Sequence, residues 1–199
     1  MPDLELELQA KEKGYNFVCG VDEAGRGPLA GPVCAAAVIL PDDFNIEGIN
    51  DSKKLSEKKR EALYDVIKEN ALAYGIAFAS VEEIENVNIL EATYIAMNRA
   101  IEGLEVKPDF ALIDGNRVPR GIKIDCQTVV KGDSKSMSIA AASILAKVTR
   151  DRLLIEYHDI YPEYNFIKHK GYGTAEHIEA IKKYGISDIH RRSFLKKLI

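Results

Sequence analysis

Four carboxylates stand where strand-like runs end. Asp22 and Glu23 are adjacent in NFVCGVDE, Asp114 closes FALID, and Asp133 lies in VVKGDSKS, between a strand-like run and an Ala-rich helical one. An acid at the end of an apolar strand costs free energy if it is half buried and unpaired. Several such ends in one sheet invite a shared compensating charge. A hard divalent cation supplies it, and Mg2+ or Mn2+ suits carboxylate and water better than zinc does. Plainer roles are open to the same residues. Asp114-Gly115 is a common turn signal, and Asp133 could cap the helix that follows it.

The elements that must position these acids are written in the hydrophobic pattern. Residues 16–22 read as a strand, followed by the Gly/Pro-rich loop EAGRGPLAGP. A second strand over 33–40 is stopped by Pro41. A helix begins after Ser56, a good N-cap, with Leu63, Val66 and Ile67 as its apolar stripe. Residues 71–79 return as a strand. Residues 88–103 form a helix with Ile89, Leu90, Tyr94, Met97 and Ile101 on one side. FALID (110–114) and KIDCQTVV are two more strands. SMSIAAASILAKVTRDRLLIEYHDIY is a long helix, Ala-rich and so closely packed at its start, and Pro162 ends it. TAEHIEAIKKYG is a final amphipathic helix stopped by Gly185. Residues 3–13 suit a short helix, though their alternation also fits a strand. This order describes an α/β sheet with a helical C-terminal extension, organised as a single domain over 1–199: roughly 1–160 for the sheet and its helices, 161–199 for the extension.

Composition narrows the function classes. With 46% hydrophobic and 29% charged residues, the 199-residue chain is neither disordered nor short of a core. No apolar run reaches membrane-span length, and the charged start MPDLELELQAKEK lacks the apolar stretch of a signal peptide. A cytoplasmic protein without a membrane partner is expected, monomeric by default. Three cysteines, Cys19, Cys34 and Cys126, give an odd count in apolar runs, so buried thiols are expected rather than disulfides. The net charge of -4 hides a split: residues 1–116 carry 11 Lys/Arg against 22 Asp/Glu, and residues 117–199 carry 16 against 9. A basic half suits a phosphate-tracking surface, although uneven surface charge is common. Asp151 and the other acids of the long helix read as surface charges.

The surroundings of the acids decide more. CGVDEAGRGPLAGPV at 19–33 closely resembles the signature of the type 2 ribonucleases H, in particular the bacterial ribonuclease HII family. INDSKKLSEKKRE (49–61), LIDGN (112–116), VVKGDSKSMSIAAASILAKVTRDR (129–152), YPEYNFIKHKGYGTAEH (161–177) and IHRRSF (189–194) look like further segments of that family, in its order. The resemblance implies a ribonuclease H-like fold: a five-stranded mixed sheet flanked by helices, with a helical C-terminal part. It implies that Asp22, Glu23, Asp114 and Asp133 are the catalytic, metal-holding carboxylates. It makes Gly25, Arg26 and Gly27 the Gly-Arg-Gly loop and Tyr172 the ribose-sensing tyrosine, a residue that alone would read as a surface aromatic. Type 3 enzymes are similar, but they add an N-terminal domain and usually carry lysine within the glycine loop, where this chain has Arg26.

The implied activity is endonucleolytic. RNA paired with DNA, or ribonucleotides embedded in duplex DNA, would be cut on the 5' side of the ribonucleotide–deoxyribonucleotide junction. The products would carry 5'-phosphate and 3'-hydroxyl ends. Two divalent cations about 4 Å apart would activate the water and stabilise the leaving oxygen. Reading the 2'-hydroxyl distinguishes RNA from DNA; glycine lets the backbone approach a ribose, and Tyr172 offers a hydroxyl and a ring. Ser52, Lys53, Lys54, Lys147, Arg150, His169 and Lys170 are candidates for backbone contacts, which set position and salt dependence. A junction resolvase or single-strand nuclease on the same fold would keep the acids but lack the loop–tyrosine pairing. A non-enzymatic nucleotide-binding module is disfavoured: GRGPLAG lacks the third glycine of G-x-G-x-x-G and the Gly-Lys-Ser/Thr of a P-loop.

Overall fold

The structure, a computed structural model, describes residues 1–46, 48–49, 52 and 55–196. Five strands form one sheet: β1 (Val18–Ala24), β2 (Val33–Ile39), β3 (Ala73–Ala79), β4 (Phe110–Asp114) and β5 (Asp125–Val129). Their order is β3-β2-β1-β4-β5. The β1–β2 and β2–β3 pairs are antiparallel, and the β1–β4 and β4–β5 pairs are parallel. The expected mixed α/β architecture is therefore present.

Each side of the sheet has its own helical partner. On one face lies α4 (Ile89–Glu102), which buries Tyr94, Met97 and Ile101 against Cys19, Val21 and Ile113. Each such side chain contributes about 1.5–3 kcal/mol when fully buried. On the other face lies the 24-residue α5 (Met137–Ile160). Ala140, Ala141 and Ala142 at its start are fully buried, as the Ala-rich sequence predicts. This close approach needs Gly20: a Cβ there would lie 2.3 Å from the backbone nitrogen of Ile139. Helix α1 (Glu5–Glu12) anchors the same corner. The buried Glu7 carboxylate accepts hydrogen bonds from Ser136 Oγ (2.6 Å) and from Ser138 N (2.9 Å) and Oγ (2.6 Å), and so serves the open N–H end of α5.

Three sequence expectations are corrected. β1 begins two residues later than predicted and runs past both acids, because β2 continues the pairing to Ala24↔Cys34, while Asp109 accepts the N–H groups of Asn16 and Phe17 and holds them outside the strand. A helix not predicted, α3 (Val81–Val87), precedes α4 and starts with a capping box between Ser80 and Glu83. The amphipathic helix α7 (Ala175–Tyr184) is not the last. After α6 (Phe166–His169) and α7 comes α8 (Arg192–Leu195). Helix α2 (Glu57–Asn70) is capped by Ser56, as expected, through the Lys59 N–H. Among the described residues no helix is long and apolar enough to cross a membrane.

Candidate active site

Strand geometry explains how the acids meet. Side chains alternate between faces along a strand, so Gly20, Asp22 and Ala24 face α5 while Cys19, Val21 and Glu23 face α4. Val21 pairs with Ile113 in parallel register, so the next residues along, Asp22 within β1 and Asp114 at the end of β4, lie side by side on the α5 face. Asp22 is buried, and its Oδ1 accepts the Glu23 N–H at 2.7 Å. Its pKa is pushed well above the carboxylate range by burial, then by the charges of Glu23 and Asp114; the Glu23 N–H and the Ser143 hydroxyl offset this in part. Glu23 pairs with Arg26 at 3.3 Å.

The plainer roles offered for two acids fall away. Asp114 Oδ1 does not close its own turn; it accepts the Gly132 N–H at 2.7 Å, which ties β4 to the 3-10 turn Gly132–Ser134. That turn carries Asp133, which is buried. Nor does Asp133 cap α5. The cap is Ser136, whose hydroxyl accepts the Ile139 N–H at 3.1 Å.

Next to Asp22 lies a cleft of about 190 Å3 lined by Asp22, Glu23, Gly25–Gly27, Ser52, Ser143, Lys147 and Tyr172. This is smaller than the ~300–1,000 Å3 that encloses a whole small ligand. It suits one sugar of a chain that continues outside. Tyr172 is 44% exposed at its rim, with the Lys147 ammonium 5.8 Å from its ring centroid. Lys147 also pairs with Asp151 at 2.7 Å, so Asp151 is a buried partner and not the surface charge expected. Ser52 is buried and shares a 2.7 Å hydrogen bond with Ser143. Lys53 and Lys54 lie outside the described residues.

Two candidates for phosphate contact are placed differently. Arg150 is 1% exposed, and its guanidinium donates to the carbonyls of Pro32, Lys170 and Ala30. It ties the glycine loop to the Tyr172 segment and has no face left for a phosphate. His169 is buried: its Nδ1 accepts the Gly171 N–H and its Nε2 meets the Tyr164 carbonyl at 2.7 Å. Lys170 is half-buried, donates to Ile167 O and lies 3.8 Å from Glu57.

Several residues near the site went unassigned in the sequence. Arg191 is fully buried and donates to Gly31 O (2.8 Å), Arg26 O (3.0 Å) and Gly25 O (2.6 Å). Burial, then the charge of Arg150, pulls its pKa down to about 9, which leaves it cationic at neutral pH. Gly25 is needed here twice over: its φ is +96°, and a Cβ would meet Arg150 Nε at 2.0 Å. Ser143 reaches Asp22 from α5. His177 and His190 form a buried pair, with Nε2 atoms 3.0 Å apart. Of the cysteines, Cys19 and Cys34 are buried and their thiols are pushed up to about 12, so they are inert as expected, whereas Cys126 is half-buried.

The histidine pair makes stability depend on pH. Burial lowers both pKa values from 6.5 to about 4; His169 adds to this for each, and His177 also acts on His190. The unfolded chain therefore binds more protons than the native one between pH 6.5 and 4, and stability falls as pH drops through that window. We expect the thermal midpoint of the wild type to fall more steeply there than that of His177→Asn, in which only His190 of the pair still titrates. Parallel slopes in a melting series would refute this.

The fold is shared with known ribonucleases H. The structure superposes on ribonuclease H2 from Pyrococcus horikoshii with a TM-score of 0.77 at 28% identity, covering 92% of this chain and 97% of that one. It also matches Bst-RNase HIII, crystallised in complex with Mn2+, with a TM-score of 0.68 at 19% identity, covering 89% of this chain but 66% of that one. These are type 2 and type 3 enzymes, and the five-stranded sheet with its flanking helices is of their fold. The sequence model of the family described as Ribonuclease HII matches residues 19–197. The ribonuclease HII of Clostridioides difficile (strain 630) is 59% identical over 194 residues, covering 98% of this chain and 76% of that protein. The chain belongs to the ribonuclease HII family. Its activity is that of an endoribonuclease acting on RNA–DNA hybrids and embedded ribonucleotides.

Proposed function

We propose that Asp22, Glu23, Asp114 and Asp133 hold the divalent metal that the family uses, as Mg2+ or Mn2+, with two cations present when substrate is bound. One observation carries this: a buried Asp22 whose charge is opposed by Glu23 and Asp114. Such a cluster gains most from a shared cation. Among the described residues, no three His, Cys, Asp or Glu side chains are grouped so as to hold a metal ion by themselves. Mg2+ keeps several waters and is usually held by one or two carboxylates plus substrate phosphates, so the substrate would complete its ligand set. When bound, such cations activate the attacking water and offset charge on the leaving 3'-oxygen.

The chain's own residues select and place the substrate. Gly25–Gly27 present backbone close to the sugar, and Tyr172 at the rim offers its hydroxyl to the 2'-oxygen. A site built around that hydroxyl rejects deoxyribose, because its own polar groups are then left unpaired. Arg26, half exposed beside Glu23, and Lys147 supply positive charge along the strand. Ser52 and Ser143 brace the Asp22 side, and Lys170 together with Lys53 and Lys54 is assigned to the flanking backbone. Cutting on the 5' side of the junction leaves a 5'-phosphate and a 3'-hydroxyl. We assign the monomer as the working unit.

Three duplexes test this with Mg2+, Mn2+ or chelator: all-DNA, RNA–DNA hybrid, and DNA with one ribonucleotide. Cleavage of the last two alone, lost with chelator, is expected. In Tyr172→Phe, ribose-dependent rate falls with the fold intact. All-DNA cutting at a similar rate overturns the selectivity, and wild-type kinetics in Tyr172→Phe remove its hydroxyl from the account.

A further inference from the structure

A chain of hydrogen bonds runs from the loop after α7 to the backbone of Tyr172, and its direction can be deduced. The Ser187 backbone N–H donates to His190 Nδ1 at 3.0 Å, with the Ser187 hydroxyl 2.8 Å from the same nitrogen. A nitrogen that accepts from a backbone N–H carries no proton, so neutral His190 is protonated on Nε2. That Nε2 is 3.0 Å from His177 Nε2, which must then accept. His177 is thus protonated on Nδ1, 2.9 Å from the carbonyl of Tyr172, an obligatory acceptor. The two ends of the chain, read independently, require the same tautomers.

The surroundings keep the relay dry and specific. His177 is 0% exposed and His190 2%, packed among Tyr164, Phe166 and the stacked ring of His169, 4.4 Å from that of His177. The Tyr172 carbonyl also accepts the Thr174 N–H at 2.8 Å, and the Tyr172 N–H donates to His169 O at 2.9 Å. The tyrosine backbone is therefore gripped on both sides while its side chain stays half exposed at the cleft.

We infer that His190 and His177 are positioning residues for the ribose-reading tyrosine, acting through the ordered relay Ser187 N–H to His190 to His177 to the Tyr172 carbonyl. This rests on the reading of Tyr172 proposed above. Tyr172 lines the cleft and the two histidines do not, so they act by fixing where its ring and hydroxyl stand. A displacement of about 1 Å at such a group can cost on the order of a hundredfold in rate.

Two measurements test it. The first uses the wild-type protein: 15N spectra of its imidazoles at neutral pH are expected to show His177 protonated on Nδ1 and His190 on Nε2. The reverse tautomer at either residue, or a charged ring, overturns the relay, and this result does not depend on any variant folding. The second is kinetic, on duplex DNA with one ribonucleotide. His177→Leu is expected to lower kcat about tenfold, whereas His177→Asn, whose amide N–H can replace Nδ1–H, recovers to within about twofold. In a Tyr172→Phe background the His177→Leu loss should shrink. Wild-type kinetics in His177→Leu, or a His177→Asn variant as impaired as His177→Leu, overturns the positioning role. Wild-type kinetics in Tyr172→Phe instead overturns the ribose reading, and with it the function given to the relay, while leaving the tautomer result intact.

Discussion

Asp22→Asn is expected to abolish cleavage and yet make the metal-free protein more stable. The two effects have one cause. Asp22 is buried, and burial together with Glu23 and Asp114 opposes its charge. A carboxyl whose native pKa is raised above its unfolded value costs stability at every pH above that unfolded value. Asn keeps the side-chain carbonyl oxygen that accepts the Glu23 N–H and removes the charge. The metal-free thermal midpoint should therefore rise, by about 2–4 °C for each kcal/mol gained in a chain of this size. The charge is also what the cation needs, so cleavage should fall by at least about a thousandfold, the equivalent of ~4 kcal/mol of lost transition-state stabilisation. Mg2+ should raise the midpoint of the wild type more than that of the variant, since a ligand stabilises only the state that binds it. Calorimetric melts with and without Mg2+, beside single-turnover rates, check all three. A variant less stable than wild type without metal, or one that still cuts, contradicts the role given to Asp22. Asp114→Asn should likewise lose cleavage while hybrid binding stays within a few-fold.

Arg191→Met should be the most damaging change away from the acids. Arg191 serves the carbonyls of Gly25, Arg26 and Gly31. A buried carbonyl left without a donor costs about 1–3 kcal/mol. Relief of the repulsion from Arg150 offsets part of this, so a net loss of ~3 kcal/mol and a midpoint drop of about 6–12 °C are expected. The loop it holds is the one proposed to approach the ribose, and kcat/KM on a single-ribonucleotide duplex should fall about a hundredfold. Arg191→Lys should not rescue, since an ammonium lacks the planar fork that reaches three carbonyls. Wild-type kcat/KM in a folded Arg191→Met would show that the loop does not depend on this clamp.

Strand-end placement made the acids visible but left turn and cap roles open, and the family segments around them decided for metal. An apolar run ending in Asp is visible without a fold, and so are Ser56 as a cap and the Ala-rich start of α5. Parallel register between β1 and β4, which sets Asp22 beside Asp114, is not local, and neither is the Gly132 N–H that brings the Asp133 turn to Asp114. The burial of Arg150 and His169 is not legible in sequence, because a charged or polar residue type says nothing of burial. The carbonyls that Arg150 serves lie 20 to 120 residues away, whereas His169 bonds the Tyr164 carbonyl and the Gly171 amide of its own segment. A donor such as Arg191 is foreshadowed in the loop GRGPLAGP, where Pro28 and Pro32 leave more carbonyls than N–H groups and buried carbonyls must find donors. Helix α3 is written in Ser80-Val-Glu-Glu83, a capping-box spacing without a long apolar stripe to mark the helix behind it. The histidine relay links residues 3 to 13 positions apart, from the Tyr172 loop through His177 on α7 to the Ser187–His190 turn, with no regular period to single them out.

The most direct test of the central claim is the chemistry of the cut itself. Duplex DNA carrying one ribonucleotide should be cleaved in H218O with Mg2+ and both new ends identified by mass. A water-driven reaction placed by the acids should yield a 3'-hydroxyl and a 5'-phosphate bearing one 18O. A 2',3'-cyclic phosphate with no incorporated label would mean that the ribose hydroxyl itself attacks, and would contradict hydrolysis directed by Asp22, Glu23, Asp114 and Asp133.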